Sequence, residues 1–123
     1  MITNYFLNNM ANAITSNTFV VPGYLAVGTT SVTAIQDTDV SLSGEIGSRT
    51  AVTKSVSGNT ASYSVTRTPA NVVTASTGDT ISSLGLLAAT SGNNLLQGIT
   101  MAGLTHTTTF NVEYDVDVVI EKR

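Results

Sequence analysis

One segment limits the fold more than any other. From Phe110 to Ile120 the apolar residues Phe110, Val112, Tyr114, Val116, Val118 and Ile120 alternate with Asn111, Glu113, Asp115 and Asp117, broken only at Val119. A period of two over that length is a β-strand with one face in a core and one in water, and a helix has no use for it. A single such strand cannot stand alone, so the rest of the chain has to supply partner strands and a second layer.

The remaining residues suit that demand. The 123-residue chain holds 21 Thr, 13 Ser and 14 Val, so β-branched side chains abound. Charged residues make up only 11% and mean hydropathy is positive (+0.21), a balance that argues for a packed core and against disorder. Thr50 to Val56 and Thr60 to Arg67 read as a hairpin about Ser57-Gly58-Asn59, because Gly and Asn supply the positive φ of a tight turn. Within the second arm, Ala61, Tyr63 and Val65 alternate with Ser62, Ser64 and Thr66. A second hairpin joins Ile81–Thr90 to Leu95–Met101 through Ser91-Gly92-Asn93-Asn94. Leu84 to Ala89, the longest apolar run, reads as a buried strand and is far short of a membrane span.

Upstream, Phe19–Val21 and Tyr24–Val27 read as extended segments around Pro22-Gly23. Gly28 to Gly47, rich in Thr, Ser and Asp, reads as a loop, and a short piece around Val72-Val73 separates two turn clusters. Only residues 1–15 have helical spacing. Thr3 is placed to cap, and Phe6, Leu7, Met10, Ala13 and Ile14 recur at three- and four-residue intervals. The expectation is one domain over residues 1–123, mainly β. Its N-terminal helix at 1–15 precedes a β-sandwich at 19–121 of jelly-roll or immunoglobulin-like type with seven or eight strands.

Chemistry is sparse. There is no cysteine, which removes thiol catalysis, thiolate zinc sites and disulfides. The one histidine, His106, has no second histidine for a metal site and no Gly-x-Ser-x-Gly elbow beside it, so it is expected to be a strand or loop residue without a catalytic role. Glu113, Asp115 and Asp117 share a face and would collect Ca²⁺ only if Asp37-Thr38-Asp39 added oxygens. The simpler reading is a solvated row that discourages edge-to-edge pairing. No catalytic, cofactor-binding or metal residues are therefore assigned. A net charge of −3 without a basic cluster removes the counterion-release drive for nucleic acid, and no membrane partner is expected. The first ten residues lack Lys and Arg and make a poor export signal, which suggests assembly in the cytoplasm.

What remains is interaction. Phe6, Met10 and Ile14 form an apolar stripe on a helix too short to persist alone, so it docks on its own sheet, the favoured option, or on a neighbouring subunit. Glu45 and Arg49, four apart in a stretch with few charges, are placed to bridge strands or subunits. These five residues are the interface candidates.

The same residues carry a resemblance. Tyr24-Leu25-Ala26-Val27-Gly28-Thr29, then Gly44-Glu45-Ile46-Gly47-Ser48-Arg49, then Ile81-Ser82-Ser83-Leu84-Gly85-Leu86-Leu87 and the Ser91-Gly92-Asn93-Asn94 turn resemble small β-sandwich structural proteins of tailed bacteriophages and related viruses. Ser83 and Leu87 stand where that pattern has Glu and Phe. The resemblance implies a non-enzymatic virion component, of capsid decoration or cement type. It would be a homo-oligomer partnered by major capsid or tail proteins, assembled in the host cytoplasm and residing in the virion. A tail-fibre or baseplate component is the alternative within that class. A carbohydrate- or receptor-binding sandwich is the alternative outside it, though the Gly28–Gly47 loop has no aromatic residue for such a role.

Overall fold

A computed structural model describes residues 2–16, 21–29 and 39–120, with nothing described of the side chains of Asn12 and residues 14–16. It contains one helix, α1 (Asn4–Ser16), and seven strands: β1 (Tyr24–Gly28), β2 (Glu45–Ala51), β3 (Thr53–Ser57), β4 (Thr60–Arg67), β5 (Asp79–Leu87), β6 (Leu95–His106) and β7 (Val112–Val119). All pairings are antiparallel. The strands form a four-stranded sheet in the order β2-β1-β5-β6 and a three-stranded sheet in the order β3-β4-β7.

The core lies between the two sheets. Leu25, Val27, Ile81, Leu84 and Leu86 from the first meet Tyr63, Val65, Tyr114 and Val116 from the second. In β1, β4 and β7 the core residues keep one phase of the strand, so the alternation in β4 and β7 builds the sandwich directly, whereas in β5 the phase changes between Ile81 and Leu84 across an irregularity. The expected mainly β sandwich with one short N-terminal helix is the observed fold.

Behind the first sheet sits a second, smaller cluster. Ala26, Leu87 and Leu95 meet Leu42, from a segment lying across the sheet's outer face. Two positions on that face are glycine for a reason. A Cβ on Gly85 would lie 2.9 Å from Leu95 and 3.5 Å from Leu42, and one on Gly28 would lie 2.8 Å from the Ser43 carbonyl. Backbone bonds from Thr29 N to Gly44 O (3.1 Å) and from Leu95 N to Val40 O (3.1 Å) hold the segment down.

Several expected boundaries move. Gly28–Gly47 is not all loop, because β2 starts at Glu45. Its register against β1 slips between Leu25 and Val27, and Gly47 there has φ +65°, so the alternation that would announce a strand is lost. The arm expected at Thr50–Val56 is two strands. Ala51 pairs with Tyr24 in one sheet and Thr53 with Ser64 in the other, while Val52 N bonds Gly23 O at 3.0 Å as the chain changes sheets. β6 runs on to His106, beyond the expected end at Met101, across an irregularity opposite Ile81–Ser83. Near Val72-Val73 there is a 3₁₀ turn, Pro69–Asn71. Phe110, in the turn between β6 and β7, and Ile120, just past the end of β7, fall outside the strand and are exposed. Of the extended segment expected at Phe19–Val21, only Val21 lies within the described residues.

Candidate interaction surface

The five interface candidates separate into two groups. Glu45 and Arg49 are spent inside the chain. Arg49 Nε donates to Glu45 Oε2 at 2.9 Å and Nη2 to Glu45 Oε1 at 3.2 Å, a bidentate pair. Arg49 Nη1 then reaches Ala89 O (2.8 Å) and Asn94 Oδ1 (3.2 Å), and Nη2 reaches Gly92 O (2.9 Å). All five guanidinium protons have acceptors, so this arginine locks the β5–β6 turn to β2 and keeps no donor for a neighbour. Asn94 completes the turn by accepting from Ala89 N at 3.1 Å and donating to Ser91 O at 2.7 Å.

Phe6 and Met10 lie on α1, which docks on its own domain. Thr3 caps the helix, its Oγ1 accepting from Phe6 N at 3.3 Å. The same hydroxyl lies 2.7 Å from Leu95 O, and Thr3 N donates to Leu96 O at 3.0 Å. Ile2 makes an isolated antiparallel bridge with Gln97 at the β6 edge before the helix begins. Phe6 is buried, whereas Leu7 on the expected stripe is exposed and Met10 partly so. Ile14 belongs to the helix, but its side chain lies outside the described residues.

The helix does not close the end of the sandwich on which it sits. A hollow of about 190 Å³ remains between α1 and the second sheet, lined by Ile2, Phe6, Met10, Ala61, Tyr63, Val118 and Ile120. Beside it, sharing Ala61 and Tyr63, a more open hollow of about 280 Å³ is lined by Val21, Lys54, Ser55 and Val56. The cause is an overhang. All five β3 residues are exposed, and Val56, although on the core-facing phase of its strand, is 78% exposed. Ile120 is 66% exposed, and Val119 and Val21 are also open. The alternation in the sequence assigns Ile120 to the core and does not single out Val56. Period-two patterning shows which phase is apolar but not where the covering layer stops.

At the far end of the same sheet the chemistry is reversed. Arg67, Asp79, His106 and Tyr114 are all buried. Asp79 accepts from Val73 N (2.8 Å) and Thr74 N (2.9 Å), and Arg67 Nη2 donates to Asn71 O (2.8 Å), so both charged groups fasten the loop between β4 and β5. Burial would raise the Asp79 pKa, but the two backbone donors and the nearby Arg67 outweigh it and hold the carboxyl below its usual range. Burial lowers the Arg67 pKa against the pull of Tyr114 and Asp79, and it raises that of the Tyr114 phenol. His106 Nε2 donates to Phe110 O at 3.0 Å and the two rings meet at 5.6 Å. Arg67 Nη1, His106 Nδ1 and Tyr114 Oη have no hydrogen-bond partner among the described residues. The group is sealed from solvent, as befits a structural cluster.

Among the described residues no group of three or more His, Cys, Asp or Glu is placed to hold a metal ion. Glu113, Asp115 and Asp117 lie in a row on the outer face of β7, while Asp37 and Thr38 are outside the described residues. No helix among the described residues is long and apolar enough to cross a membrane. Comparison with family models, curated proteins and solved structures finds no match to this chain.

Proposed function

We propose that this chain is a structural module of a protein assembly, and in its most specific form a virion decoration or cement module bound to capsid proteins. The observation that carries the reading is the open apolar end formed by Val21, Val56 and Ile120 around the two hollows beside α1. A contiguous apolar surface in a chain with so few charges marks a contact with another protein. The virion form rests further on the sequence resemblance. Such a module works by burial, since a contact of about 800 Å² per partner, repeated around a symmetric particle, sums to large collective stability.

The test is binding of the purified chain to purified virus particles from its source, followed by heat release of the particle contents with and without it. Binding and a raised release temperature are expected. A chain that neither binds particles nor associates with itself overturns the reading.

A further inference from the structure

We infer that the two hollows beside α1 form one trough that binds a medium-chain fatty acid, its tail beneath the helix and its carboxylate held by Lys54 and Tyr63. The inference goes beyond the assembly reading and stands or falls separately from it.

The floor of the trough follows from the register. Val56↔Ala61↔Val118 and Lys54↔Tyr63↔Val116 are two rows on the core-facing side of the three-stranded sheet. Ala61 and Tyr63, in the middle strand, line both hollows, so the floor continues from β7 across to β3. That crossing covers two strand spacings, about 10 Å. At the β7 end Phe6 and Met10 of α1 lie over it and leave a space of about 190 Å³. Apart from the Tyr63 phenol, every side chain around that space is apolar. An apolar cavity of about 150 Å³ already stays dry and takes up a hydrocarbon.

At the β3 end the trough opens and its chemistry changes. Lys54 lines it and has no ion-pair partner among the described residues. Tyr63, its direct cross-strand neighbour, is only 8% exposed, and its hydroxyl bonds to no described group. Burial raises the pKa of this phenol, so it keeps its proton and remains a donor. Cross-strand partners hold their Cβ atoms about 5 Å apart, which puts an ammonium and a phenol within reach of one anion.

These walls also choose the occupant. A peptide threaded under α1 would bring backbone N–H and C=O groups among side chains that offer no partner except Tyr63, and bare buried amides are costly. A plain alkyl chain brings no such groups. Lys54 selects a negative head, and no carboxylate among the described residues lines either hollow to repel it.

Calorimetric titration of the whole chain with decanoate, kept below its micelle concentration, tests this. One decanoate per chain is expected. Octanoate should bind about tenfold more weakly, since each buried methylene contributes roughly fourfold. Decanol and decyltrimethylammonium carry the same tail with the wrong head and should also lose about tenfold or more. Lys54→Gln changes an exposed side chain. It should weaken decanoate about tenfold and leave decanol unchanged. Ala61→Leu narrows the shared floor and should weaken both, with melting used to show that each variant folds. Shifts of the Met10 and Ile120 methyl resonances on titration place the tail, which keeps the test intact if Ala61→Leu does not fold. No binding of decanoate, equal binding of all three heads, or unmoved Met10 and Ile120 methyls overturns the site. A ligand-free chain that binds neither particles nor itself overturns the assembly reading and leaves this one standing.

Discussion

The two ends of the β3-β4-β7 sheet invert the usual rule of what is inside. At the Arg67–Val112 end an arginine, an aspartate, a histidine and a tyrosine are buried, while at the Thr60–Val119 end valines and an isoleucine stand in water. The same strand phase runs through both. Ala61, Tyr63, Val65 and Arg67 all project from one face of β4, so period two cannot explain the contrast. Cover explains it. The 68–78 loop and the end of β6 close over the charged end, and nothing described closes over Val56. Polar groups at the sealed end are retained because Asp79 and Arg67 satisfy backbone groups of the loop that seals it.

The contrast is broken most forcefully at Asp79. Replacing it with alanine strands the Val73 and Thr74 amides and leaves Arg67 as a buried charge without its compensating anion. A loss of about 3–5 kcal/mol is expected by urea unfolding. A loss below about 1 kcal/mol would show that the loop is not fastened there and that water reaches the cluster. The acid side of the stability curve gives a second reading. The folded carboxyl titrates below its ordinary value, so its contribution is full above the unfolded carboxylate pKa of about 3.9 and is lost as pH falls through the depressed folded value. The stability difference between wild type and Asp79→Asn should therefore shrink between about pH 5 and about pH 2. A constant difference across that range contradicts the assignment.

Next in size is the turn clamp, which belongs to neither end and acts as a control. Arg49→Lys keeps the charge but loses the planar fork that serves Glu45, Ala89, Gly92 and Asn94 together. A loss of about 1–2 kcal/mol is expected, with faster amide exchange at Ala89. Unchanged exchange at Ala89 would mean that Asn94 alone holds the turn.

Much of this fold is legible in the amino-acid sequence, and the parts that are not share a cause. Tyr114 and Val116 sit in the core and Gly58 turns the hairpin at φ +59°, because local pattern and tertiary burial agree there. β2 is hidden because its slip against β1 breaks the alternation, and its exposed edge position leaves few apolar residues to show a phase. The sealed cluster is legible in part. Arg67 falls on the inward phase set by Ala61, Tyr63 and Val65, and a buried arginine demands an anion and carbonyl partners. Asp79 and Asn71 supply these through a loop closure that no short-range pattern encodes. The spacing of Glu45 and Arg49 identifies them as a pair, but spacing alone does not say that the pair clamps its own chain.

The smallest expected effect sharpens the comparison most, because it sets two valines on one face of one sheet against each other. Val116→Asp puts an unpaired carboxylate against Tyr63, Ile81 and Leu84 in the core cluster, at a cost of several kcal/mol. Val56→Asp makes the same chemical change on the same phase two strands away, where the side chain is 78% exposed. If the end of the sheet is open in the free chain, thermal unfolding of a dilute sample should move by less than about 0.5 kcal/mol. The effect should appear instead in sedimentation at high concentration, as lost association. A large loss of stability in dilute Val56→Asp would mean that the chain covers this valine itself. The surface offered for assembly would then be part of its own core, and the difference between the two ends would lie in their chemistry alone.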